Sequence, residues 1–162
     1  MDIAETERMK TCSEVMTSAL ICCLETDSAQ TAATQMKRAD VGSIPVVENY
    51  MTKMLVGIVT DRDLALEVIA MGRHHEQTKV AEVMSRDLAT CRGEDSLDHA
   101  VELMLRRQVR RLPVVDDQGH IVGIITQGDL ATRGGAPVQT AQFVEEISRR
   151  PGSSSGIVEH HR

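Results

Sequence analysis

The sequence is poor in aromatic residues, with one Phe, one Tyr and no Trp in 162 residues. Bases of single-stranded nucleic acid are held by stacking on such rings, so the chain offers few platforms for them. Positive charge is also short: the formal net charge is -6. That balance argues against a polyanion or an anionic membrane as partner, and leaves open a small phosphorylated ligand, which responds only to the local field. No apolar run approaches the ~20 residues that span a bilayer. Met1 to Lys10 is polar and charged, unlike a secretory leader, so a cytoplasmic location is expected. The four cysteines, Cys12, Cys22, Cys23 and Cys91, lack C-x-x-C spacing. They read as buried free thiols, with regulatory disulfide or metal chemistry as the alternative. The six histidines show no metal-ligand spacing, and no activated nucleophile or acid-base pair is legible. An independent enzyme is therefore not expected.

What the chain does have is an internal repeat at an offset of 68 residues. Val15-Met16 matches Val83-Met84, Leu20 matches Leu88, and Asp27-Ser28 matches Asp95-Ser96. Ala32, Met36, Arg38 and Val41 fall on Ala100, Met104, Arg106 and Val109, and Pro45-Val46-Val47 falls on Pro113-Val114-Val115. Two extra residues then enter the first copy between Glu48 and Met54, so that Gly57 pairs with Gly123 and Asp63 with Asp129. A turn is where a duplicated fold tolerates an insertion. The units are placed at residues 12–72 and 80–134, joined by a linker that carries His74 and His75. Each is small enough that a shared core and a dimer partner are expected.

Periodicity changes in the same order in both copies. Leu97, Ala100, Val101, Met104 and Leu105 recur at helical spacing behind Asp95-Ser96, a capping signal; Ala29, Ala32, Ala33 and Met36 follow Asp27-Ser28 in the same way. These helices are predicted to end near Asp40 and Gln108. Ile44–Val47 with Leu55–Val59, and Leu112–Val115 with Ile121–Ile125, read as strand pairs, the second joined by Asp116-Asp117-Gln118-Gly119. A second helix follows each pair, the first running through Leu64, Ala65, Val68, Ile69 and Met71. Apolar positions at Val138, Ala141, Val144 and Ile147 predict a packing helix over residues 138–150, and the tail beyond Pro151 is expected to be mobile.

Both copies end in one phrase, Gly57-Ile58-Val59-Thr60-Asp61-Arg62-Asp63-Leu64 and Gly123-Ile124-Ile125-Thr126-Gln127-Gly128-Asp129-Leu130. Thr60-x-x-Asp63 and Thr126-x-x-Asp129 have capping-box spacing, which would engage hydroxyl and carboxylate with local N–H groups. The same geometry serves a ligand: a carboxylate at a helix start can accept from ribose hydroxyls, and helix-start N–H groups favour an anion. Spacing alone leaves both readings open.

These phrases, together with Val15-Met16-Thr17, Val83-Met84-Ser85, Ser43-Ile44-Pro45-Val46-Val47 and Arg111-Leu112-Pro113-Val114-Val115-Asp116, strongly resemble the cystathionine β-synthase domain family, the CBS domains. The resemblance covers residues 12 to 134. It implies an α/β (α+β) fold of two tandem CBS units packed with pseudo-twofold symmetry, opening each unit with a strand segment, and often paired as a homodimer. It also implies a regulatory ligand, AMP, ADP, ATP or S-adenosylmethionine, in clefts between the units. By that resemblance Thr126 and Asp129 hold the ribose and phosphate side of one cleft, with Thr17 and Leu20 on the base side. Thr60 and Asp63 serve the other cleft, facing Ser85 and Leu88. Ile44 and Leu112 are expected in the apolar wall.

The copies differ at the tips: Arg110-Arg111 stands where the first has Gly42-Ser43, and Asp61-Arg62 where the second has Gln127-Gly128. Adjacent strand residues point to opposite sides, so Arg110 and Arg111 are expected to supply cations to different clefts. Arg62 is expected either to serve its own cleft or to pair with a neighbouring acid. Unequal affinities or a single occupied site follow. The expected function is a module that signals ligand occupancy through its conformation to a protein regulated in trans, without a cofactor or metal. A constitutive dimerisation or interaction module with empty clefts is the competing expectation.

Overall fold

Each repeat opens with one turn of helix, α1 (Cys12–Val15) in the first and α4 (Val80–Val83) in the second, where a strand segment was expected. A short strand follows, β1 (Cys23–Leu24) or β4 (Cys91–Arg92), then an eleven-residue helix, α2 (Ala29–Ala39) or α5 (Leu97–Arg107). A hairpin completes each sheet: β2 (Ser43–Val47) with β3 (Leu55–Thr60), and β5 (Arg111–Val115) with β6 (Ile121–Thr126). The hairpins lead into α3 (Asp61–Asp63), continued by a π-helical stretch Leu64–Ile69, and α6 (Gln127–Arg133). The computed structural model describes residues 10–133. The helix expected over residues 138–150, the last residue of the second unit and the tail fall outside the described residues. Among the described residues no helix is long and apolar enough to cross a membrane.

Local chemistry explains why α2 and α5 begin and end alike. The Ser28 and Ser96 hydroxyls accept from the N–H groups of Thr31 and His99, satisfying first-turn donors. At the other end Asp40 and Gln108 adopt left-handed conformations, φ 54° and 53°, behind Lys37-Arg38 and Arg106-Arg107, whose charges suit a helix C-terminus. Ala29, Ala32 and Met36 bury one face of α2, while Ala33 is exposed. The apolar stripe expected after β3 is only half realised. Leu64 and Val68 are buried, but Ile69 and Met71 are 78% and 64% exposed. The wider winding, with Ala70 N–H donating to Ala65 O and Arg73 N–H to Val68 O, turns those two side chains off the core face.

Each sheet has three strands, in the orders β1-β2-β3 and β4-β5-β6. The first pair is parallel and the second antiparallel, with matching registers: Cys23 faces Val46 as Cys91 faces Val114, and Ile44 faces Val59 as Leu112 faces Ile125. The bulges also correspond, at Val46/Val47 and Val114/Val115.

The repeats in the sequence do not coincide with the packed cores, because the openings are exchanged. Cys12 and Val15 are buried with Met104, Leu112 and Ile125 of the second repeat; Val80 and Val83 are buried with Met36, Ile44 and Val59 of the first. Backbone bonds tie the exchange down. Cys12 N–H donates to Asp95 O at 2.8 Å, and Val80 N–H to Asp27 O at 2.9 Å. Gly57 and Gly123 lie where the exchanged segments cross the sheets. A Cβ on Gly57 would meet Met84 Sδ at 2.7 Å and Ser85 O at 3.0 Å, and one on Gly123 would meet Met16 Cγ at 2.7 Å. A third apolar cluster, Cys22, Val47, Ile121 and Ile124, joins the two sheets. All four cysteines are buried and free.

Candidate functional site

The two T-x-x-D tips fold as capping boxes. Thr126 N–H and Oγ1 both donate to Asp129 Oδ2, at 2.8 and 2.7 Å, while Asp129 N–H donates back to Thr126 Oγ1 at 3.2 Å. Thr60 and Asp63 repeat the pattern at 2.9, 2.8 and 3.1 Å. Capping therefore engages each Thr hydroxyl and one carboxylate oxygen. The second oxygen of Asp129 faces Arg133 Nη1 at 3.7 Å, beyond hydrogen-bond reach. It remains an acceptor pointed out of the box.

A cavity of about 820 Å³ opens at the Asp129 tip. It brings together Thr17, Leu20, Arg110, Arg111, Thr126 and Asp129 from the sequence-derived set. Thr17 is placed by a two-bond bridge to Ile124, and α6 starts at the floor, where Gln127 N–H donates to Arg110 O at 3.1 Å. Ile44 and Leu112 are fully buried in the two cores. The apolar surface of this cavity comes instead from Leu20, Ile21, Val41, Pro45 and Ile124.

Arg110 and Arg111 line the same cavity, not different ones. The alternation rule fails at this step because β5 begins at Arg111, so Arg110 still belongs to the preceding bend. Neither guanidinium has an ion-pair partner among the described residues. Arg73, Arg86, Arg92, Arg106, Arg107 and Arg133, by contrast, each face a carboxylate. Space for Arg111 depends on Gly42: a Cβ there would sit 3.1 Å from its Nη2 and 3.0 Å from Asp61 Oδ2. The first repeat thus has glycine at the position where the second carries Arg110. Two unpaired cations beside a helix start can coordinate an anion.

The other tip is assembled from the pseudo-symmetric residues. Ser85 exchanges two backbone bonds with Ile58, at 2.9 and 3.0 Å, as Thr17 does with Ile124. Arg62 is exposed, and its backbone N–H, rather than its guanidinium, binds Asp61. Leu88 lines a separate cavity of about 250 Å³ with Leu55, Val56, Arg86, Thr90, Val115 and Gly119. The sequence alone did not place Ala19, Ala39 or Asp40 in the larger cavity, which they line. The signal was present in the repeat alignment, where Ala19 and Ala39 face Asp87 and Arg107.

The CBS domain profile matches residues 12–70 and 80–134, and the chain belongs to that family. It is 44% identical over 123 residues to the CBS domain-containing protein YhcV of Bacillus subtilis, covering 76% of this chain and 84% of that one. The CBS domain pair of protein MJ0100, solved in complex with 5'-methylthioadenosine and S-adenosyl-L-methionine, superposes with a TM-score of 0.69 at 25% identity, covering 78% of this chain and 97% of the other. Hypoxic Response Protein I, solved with two coordinated zinc ions, gives a TM-score of 0.69 at 27% identity, with coverage of 76% and 98%. The α/β fold is thus a Bateman module, two CBS units in tandem about a pseudo-twofold axis. Such domains are regulatory and non-catalytic. Among the described residues no three His, Cys, Asp or Glu side chains gather as metal ligands.

Proposed function

We propose that this chain is a regulatory module that takes an adenosine-containing ligand, AMP, ADP, ATP or S-adenosylmethionine, in the larger cavity between its two units. The observation that carries the reading is the convergence of the Asp129 oxygen left outside the capping box, the start of α6 and two unpaired arginines on one cavity of about 820 Å³. The ligands bound by the MJ0100 pair support it. Asp129 Oδ1 would accept from ribose hydroxyls, with Arg110 and Arg111 toward any phosphate, and Thr17 and Leu20 toward the base.

Signalling follows from where the lining residues originate. Thr17 and Val41 come from the first repeat, and Arg110 and Asp129 from the second, so a ligand touching all four favours one inter-unit geometry over others. In this reading the module is a cytoplasmic homodimer, and a regulated protein reads that geometry in trans. Calorimetric and thermal-shift titration with AMP, ATP and S-adenosylmethionine tests it. Binding of one of them with a positive Tm shift is expected. No binding at millimolar ligand would leave the constitutive interaction module as the better account, with the T-x-x-D pairs acting only as caps.

A further inference from the structure

The pseudo-twofold axis allows the two clefts to be compared residue by residue. Ala19 and Ala39 line the larger cavity, one on the segment after α1 and the other at the end of α2. At the repeat offset their counterparts are Asp87 and Arg107. Arg107 Nη2 donates to Asp87 Oδ1 at 2.6 Å, so where the first cleft is lined by two methyl groups, the corresponding positions of the other repeat carry an ion pair. Asp87 is 90% exposed and Arg107 39%, which sets the bridge at the rim. An exposed pair of this kind adds little to folding stability. At the adjoining tip Arg62 stands where the open cleft has Gly128.

We propose that the Asp87–Arg107 bridge is a gate that closes the second cleft, and that the alanine pair at positions 19 and 39 is what leaves the first one open to ligand. The inference rests on reading the larger cavity as the ligand site. It assigns the choice between the clefts to four rim residues outside the T-x-x-D boxes. A ligand entering the second cleft must displace both side chains of the bridge and leave Asp87 without its cation, while one entering the first displaces only water.

The test is a reciprocal exchange, with AMP, ATP and S-adenosylmethionine titrated calorimetrically into each full-length protein and cooperative unfolding verified for every variant. The parent protein is expected to bind one equivalent. In D87A/R107A, which gives the second cleft the alanine pair of the first, a second equivalent is expected. In A19D/A39R, which places the bridge on the first cleft, binding is expected to weaken severalfold, up to about fivefold or 1 kcal/mol. A single equivalent in D87A/R107A, two in the parent, or undiminished affinity in A19D/A39R overturns the gate and leaves the ligand reading intact. Binding to D87A/R107A alone supports the gate and removes the assignment of the larger cavity. No binding to any of the three proteins removes both.

Discussion

Thr17 and Ile124 exchange a pair of backbone hydrogen bonds, 2.8 Å from Thr17 N–H to Ile124 O and 3.0 Å in return. They are 107 residues apart, and the bridge adds the opening of the first repeat to the outer strand of the second repeat's sheet. Ser85 and Ile58 do the same in the opposite sense. Each unit is therefore finished by residues from the other, which is why neither half is expected to hold its shape alone.

Exchange predicts where a core mutation is felt. Val15 is 1% exposed within the second repeat's core, so Val15→Ala should cost about 2 kcal/mol through lost burial and the cavity left behind. Native-state hydrogen exchange should show the loss of protection concentrated in α5, β5 and β6 rather than in α2, β2 and β3. Greater loss in the first repeat would contradict the exchanged arrangement.

The crossing points predict a second result. Gly57→Ala forces a Cβ against the Ser85 carbonyl, which is backbone, and against Met84; Gly123→Ala meets only the Met16 side chain among its three nearest atoms. Overpacking of this kind costs about 1–3 kcal/mol. Both Gly57→Ala and Gly123→Ala are expected to lower Tm, because neither the bridged Ser85 carbonyl at 3.0 Å nor the backbone-fixed Met16 Cβ at 3.1 Å can turn aside. Thermal unfolding of the two variants decides it.

Capping and binding separate at the two acids. Asp129→Ala and Asp63→Ala each break a capping box and should cost about 1 kcal/mol in denaturant unfolding. Only Asp129→Ala is expected to weaken nucleotide or S-adenosylmethionine binding, by about tenfold or more. Equal losses of affinity would mean that both clefts bind, and no loss from either would confine the boxes to capping.

Burial pushes the Cys23 thiol up to about 12 from its ordinary 9.0, with Asp27 adding to the effect. The folded state thus holds this proton more tightly than the unfolded state. The stability it contributes is complete below about pH 9 and is lost as pH rises from there toward 12. Comparing Cys23→Ala with the parent from pH 8 to 11 should show a shallower alkaline decline in the variant. Parallel curves would place the thiol in contact with solvent.

Much of this architecture was legible in the chain because it depends on contacts close in sequence. The helices α2 and α5 start at the serines that cap them and stop at Asp40 and Gln108, as side-chain hydrogen bonding and periodicity require. The strands fall within one residue of the β-rich runs. The T-x-x-D pairs form the capping boxes that their spacing allows. What failed was reasoning that carried a local rule past its range: strand alternation does not reach Arg110, which precedes β5, and an apolar stripe at α-helical spacing does not predict burial of Ile69 in a π-wound segment.

By itself the sequence determined the duplication, the order of elements in each copy and the residues that cap them, since all of these rest on interactions among neighbours along the chain. Only the tertiary structure decided that the openings trade places, that Arg110 and Arg111 share one cavity while Ile44 and Leu112 lie in the cores, and that Asp87 meets Arg107 where the other cleft has alanines. Those relationships join residues from 20 to more than 100 positions apart. They are set by how two twisted sheets bury their apolar faces against each other, a long-range packing problem that no window of local periodicity contains.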